Sequence, residues 1–109
     1  MNNEYSITIT TFPEKESAKE TAKMLISRQL AACVQMFPIE SAYLWKGEVC
    51  EDNEVMLLIK SKTALFDGIA DVIKVIHPYE VAEIVQIPIT DGLPEYLRWI
   101  DDCTKDFEA

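Results

Sequence analysis

Val55-Met56-Leu57-Leu58-Ile59 is apolar at all five positions. A strand with one wet face alternates apolar and polar residues. A strand that is apolar throughout needs cover on both faces. Ile84-Val85, Ile87 and Ile89 repeat the feature later in the chain. Two such strands place the centre of a sheet, and the rest of the chain has to be arranged around them.

Working towards the N-terminus, Tyr5, Ile7, Ile9 and Thr11 alternate with Ser6, Thr8 and Thr10, which is the period of a strand. Phe12-Pro13-Glu14 then opens a helix, with Pro13 near its first turn, running to about Gln29. Ala32 to Phe37 reads as a strand that Pro38 interrupts with a bend or bulge. Ser41 to Trp45 resumes it, Lys46-Gly47 turns the chain, and Glu48 to Cys50 starts the return. Glu51-Asp52-Asn53 reads as a polar interruption before the strand from Glu54 to Lys60.

Towards the C-terminus, Thr63 is placed to cap a second helix. Its apolar face is Leu65, Phe66, Ile69, Val72, Ile73 and Ile76. Pro78 ends it, because a residue before proline is pushed out of helical geometry. Val81 to Ile89 is the next strand, and a short helix starts near Pro94. The order is strand, helix, two long strands, helix, strand, helix. It predicts an α+β fold: a ferredoxin-like split βαβ sandwich with a long central hairpin and a C-terminal helix, as one domain over 1–109. That fold carries helices on one sheet face only. The doubly apolar strands therefore predict a second subunit on the other face, and so a homo-oligomer.

Composition narrows the function. The chain has 19 acidic and 10 basic residues and a formal charge of -9, which repels phosphate backbones. Nucleic acid is not an expected partner. The longest aliphatic run is too short to span a bilayer, and Met1-Asn2-Asn3-Glu4-Tyr5 lacks the basic-then-apolar pattern of a leader, so a cytoplasmic address is expected. Cys33, Cys50 and Cys103 are odd in number and form no CxxC pair, which excludes a complete disulfide framework or a four-cysteine zinc site within one chain. With three glycines there is no phosphate loop.

His77-Pro78-Tyr79-Glu80 contains the single histidine. One imidazole with the carboxylates of Glu80 and Glu83 could hold a divalent ion. The alternative reading makes His77 a hydrogen-bonded structural residue. Trp45 and Tyr79 could line a pocket with Lys60 as its charge; the alternative is packing. No cysteine is placed beside His77 by the sequence, and no enzymatic activity is expected.

Several stretches together resemble the CutA divalent-cation tolerance family: Thr10-Thr11-Phe12-Pro13, Leu30-Ala31-Ala32-Cys33-Val34, Tyr43-Leu44-Trp45-Lys46-Gly47, Leu57-Leu58-Ile59-Lys60, His77-Pro78-Tyr79-Glu80-Val81-Ala82-Glu83-Ile84 and Tyr96-Leu97-Arg98-Trp99-Ile100. The resemblance implies a ferredoxin-like homotrimer, similar in plan to nitrogen-regulatory signalling trimers. It also implies binding of copper or other divalent ions and a part in the response to metal ions. Some members carry a cysteine where this chain has Phe12, and two histidines where it has Ile76-His77. Neither phenylalanine nor isoleucine coordinates a metal, so weak binding is expected here, with His77, Glu80 and Glu83 as ligands. The same trimer plan implies, as the other reading, a small-molecule sensor or interaction scaffold whose inter-subunit pocket uses Trp45, Lys60 and Tyr79.

Overall fold

The computed structural model describes residues 4–106. The chain runs β1 (Tyr5–Phe12), α1 (Lys15–Ser27), β2 (Cys33–Trp45), β3 (Glu48–Lys62), a 3-10 turn (Thr63–Leu65), α2 (Phe66–Ile76), β4 (Ile84–Pro88) and α3 (Pro94–Cys103). The four strands form one antiparallel sheet in the order β2-β3-β1-β4. The α+β architecture predicted from the element order is the one observed.

Registers assign the faces. Thr8 pairs with Ile59, Thr10 with Leu57 and Phe12 with Val55. Side chains directly opposite one another share a face. This face meets α1 and α2, and Phe12, Leu57 and Ile59 are buried there with Leu25, Ile69 and Ile73.

The opposite face carries Tyr5, Ile7, Ile9, Met56, Leu58, Phe37, Val85 and Ile87 by the same register rule. Here the structure corrects the expectation that all helices lie on one side. α3 packs on this second face, seating Leu97, Ile100 and Cys103 against Tyr5, Ala32 and Ile89. The spacing of three residues puts that apolar stripe on one side of the helix. Tyr5 Oη donates to Asp101 Oδ2 at 2.5 Å, and Lys62 Nζ donates to the carbonyls of Thr104 and Lys105. α3 covers only the Tyr5 end. Val85 and Ile87 remain 47% and 48% exposed, and Phe37 is exposed with them.

Two interruptions expected in the hairpin are absent. β2 is continuous through Pro38, which pairs with Val55. β2 is an edge strand, where alternate N–H groups point away from the sheet and a proline there breaks no ladder bond. Glu51, Asp52 and Asn53 are ladder residues opposite Ala42, Ser41 and Glu40. They lie in an arm exposed on both faces, so polarity there carries no information about pairing. α2 ends as expected: His77 has φ -67° and ψ 131°, the extended geometry that Pro78 imposes. Thr63 does not cap it; its hydroxyl bonds Ser6 Oγ instead. β4 is shorter than expected, because residues 77–83 form a loop across the end of β1. No helix among the described residues is long and apolar enough to cross a membrane.

Candidate functional site

The end of β1, the inner part of the β2–β3 arm and the loop 77–83 enclose a cleft of about 810 Å3. Tyr43, Trp45 and Tyr79 supply aromatic surface, and Glu40, Glu54, Glu80 and Glu83 supply carboxylates. No lysine or arginine lines it among the described residues. The volume is that of a metabolite pocket.

His77 holds one wall in place. Its side chain is buried, 8% exposed, with its ring 4.5 Å from Phe12 and 4.9 Å from Tyr79. The Tyr79 N–H donates to Nδ1 at 3.1 Å, and Nε2 lies 2.5 Å from the Thr11 carbonyl oxygen. An amide N–H needs an acceptor and a carbonyl needs a donor. The partners therefore select the neutral tautomer with the proton on Nε2. Both nitrogens are engaged, Nε2 as donor and Nδ1 as acceptor. The imidazole ties the loop after α2 to the end of β1.

The field in the cleft is negative. Burial, followed by the charges of Glu54 and Asp52, pushes the Tyr79 phenol above its ordinary range. Tyr43 donates its hydroxyl to Asp52, a diagonal cross-strand pair, and that bond holds its phenol up at about 12. Glu54 is 8% exposed and belongs to the same sheet face as Met56 and Leu58.

The six residues singled out in the sequence are divided by the fold. Trp45, Tyr79, Glu80 and Glu83 share the cleft. His77 sits behind its wall. Lys60 lies elsewhere, opposite Ile7 and Cys33, with Nζ 5.6 Å from the Tyr96 ring. Twelve residues of β3 separate Lys60 from Glu48, the partner of Trp45, roughly 40 Å along a strand. Among the described residues no three histidine, cysteine, aspartate or glutamate side chains are grouped to hold a metal ion. The donors present thus do not form a ready divalent-ion site. Glu40, Tyr43 and Glu54 were not anticipated. Glu54 had a signal: it continues the alternating set Met56, Leu58, Lys60, which places a carboxylate next to the apolar stretch of that face.

Comparison with known proteins gives one consistent answer. The family model for the CutA1 divalent ion tolerance protein matches residues 6–103. The divalent-cation tolerance protein CutA of Thermus thermophilus is 43% identical over 99 residues, 90% of this chain and 96% of that protein. Mouse protein CutA is 40% identical over 101 residues, and this chain spans 57% of its length. A rice relative with 40% identity is described as chloroplastic. The solved structure of a periplasmic divalent cation tolerance protein CutA from Archaeoglobus fulgidus superposes with a TM-score of 0.91 at 36% identity, over 93% of this chain and 99% of that one. The Thermus structure gives 0.90 at 42%, over 93% and 99%.

Proposed function

The chain belongs to the CutA1 divalent ion tolerance family, and from that premise we propose a homotrimeric, non-enzymatic protein that binds copper or other divalent ions weakly and contributes to the response to metal ions. The observation that carries this reading, beyond the family match, is a cleft whose charged lining among the described residues is all carboxylate. Glu80 and Glu83, on the loop after α2, are exposed donors of this cleft, with Glu40 exposed across from them on β2. His77 joins them only by giving up the Tyr79 N–H bond. The half-exposed apolar sheet face supports the trimer, since large contiguous apolar surface marks an interface. The cytoplasmic address belongs to the same proposal and is tested by fractionation of the native host.

Calorimetric titration with copper(II) tests the ion reading. Replacing both Glu80 and Glu83 by glutamine is expected to remove most of the binding heat. An unchanged isotherm overturns the reading. His77→Ala is expected to keep the isotherm; its loss would instead put the imidazole in the ligand set.

The cleft itself favours a second reading, a trimeric small-molecule sensor or scaffold. Within one chain its pocket holds Trp45 and Tyr79; Lys60 lies apart from them, so an inter-subunit pocket would take it from a second copy. A thermal-shift screen of metabolites tests it, because a ligand that binds only the native state raises the melting temperature.

A further inference from the structure

Glu54 is a buried carboxylate with no cation paired to it among the described residues. It is 8% exposed, lines the cleft, and receives no hydrogen bond or ion pair from the described residues. An unpaired carboxylate held away from water is costly, and such groups are normally paired. Its oxygens are not sealed in the core, since the cleft opens onto them. A positive group that enters through the cleft would pair with this carboxylate.

The rest of the lining says which kind. Tyr43, Trp45 and Tyr79 offer ring faces, which attract ammonium groups through the ring quadrupole. One of these rings already accepts a cation: Lys46 Nζ lies 5.7 Å from the centre of Trp45. A tightly held metal ion would need converging donors, and no group of three is present among the described residues. A volume of about 810 Å3 far exceeds a hydrated ion but suits an organic molecule. Glu40, Glu80 and Glu83 leave room for more than one positive charge.

We propose that the cleft binds an organic ammonium ligand, with Glu54 as its ion-pair partner and Tyr43, Trp45 and Tyr79 as its aromatic walls. This deepens the sensor reading by naming the ligand class, and it rests on that reading.

The test is calorimetry of the assembled protein with tetramethylammonium chloride and with 1,4-diaminobutane dihydrochloride, against sodium chloride at matched ionic strength. Saturable binding of either ammonium, absent with sodium, is expected. The first probe isolates the aromatic contribution and the second adds paired charges. Glu54→Gln, which keeps the side-chain shape, is expected to weaken binding at least tenfold. Trp45→Leu, at a half-exposed position, is expected to weaken it by a smaller factor. No saturable heat from either probe, or equal affinity in Glu54→Gln, overturns the proposal. No binding together with a change of molecular mass in Glu54→Gln overturns it too, and assigns the partner to a basic side chain of a second copy. Thermal shifts from neutral or anionic metabolites, with none from the ammonium probes, overturn the ligand class while leaving the sensor reading standing.

Discussion

His77, the single histidine, acts in the fold as a bridge between two backbone groups. Its nitrogens bridge the Thr11 carbonyl and the Tyr79 N–H, and its ring packs on Phe12. Removing it leaves the buried Thr11 carbonyl and the part-buried Tyr79 N–H without this partner, and a void beside Phe12. His77→Ala is therefore expected to cost about 2–4 kcal/mol, read from denaturant unfolding. A loss below about 0.5 kcal/mol would contradict the bridging role. Thr10 presents the reverse case: its hydroxyl is fully buried with no hydrogen-bond partner among the described residues. Thr10→Val keeps the shape and removes the orphan, so a gain of about 1 kcal/mol is expected by the same measurement. Tyr5 makes stability depend on pH at the alkaline end. Its bond to Asp101, then burial, raises the phenol from 10.0 to about 12. The folded chain thus holds that proton more tightly than the unfolded one. The contribution is complete below pH 10 and falls away as pH rises through about 12. Tyr5→Phe should flatten the loss of stability over that interval. Residue types and their unusual positions could be read from the sequence, but hydrogen-bond partners 66 residues apart, such as Thr11 and His77, could not.

At the scale of elements, the helices and the inner strands were legible because burial imposes a period on them. In the outer arm of β2 and β3 the turn at Lys46-Gly47 and the strands beside it were legible too. The continuity through Pro38 and Glu51-Asp52-Asn53 was not, because residues exposed on both faces carry no burial period. The arm's ladder is held by backbone pairing from Glu40–Asn53 to Trp45–Glu48 and closed by Lys46-Gly47. Both turn residues have positive φ, 50° and 81°, the pattern of a two-residue type I′ turn. Lysine is strained there and asparagine is not. Lys46→Asn is expected to stabilise the arm by about 0.5 kcal/mol, and Gly47→Ala to destabilise it by about 1 kcal/mol. The two changes should appear as opposite shifts in amide exchange of residues 40–53, with little change in the core. Parallel shifts in core and arm would mean that the arm does not open separately.

For the whole molecule, the apolar run at Val55–Ile59 and its counterpart in β4 asked for cover on two faces. α1 and α2 supply one; α3 supplies the Tyr5 end of the other. Ile7, Ile9, Leu58, Val85 and Ile87 are left half-buried or exposed on a sheet flanked by the edge strands β2 and β4. The sequence pointed to this surplus but not to the side that α3 takes, since the loop 89–93 carries no signal for which way to cross the edge. On the trimer proposal, a second and a third copy supply the missing cover. Light scattering is then expected to give about three times the chain mass of 12.4 kDa. Ile87→Lys places an ammonium on the open face, where the free chain tolerates it because the position is 48% exposed. In an assembly that buries the face, each copy would carry an unpaired charge out of water, at several kcal/mol apiece. The variant should therefore fall to the single-chain mass while keeping its helical and strand content by circular dichroism. Retention of the threefold mass would put the subunit contact on some other surface and leave the apolar face without its explanation.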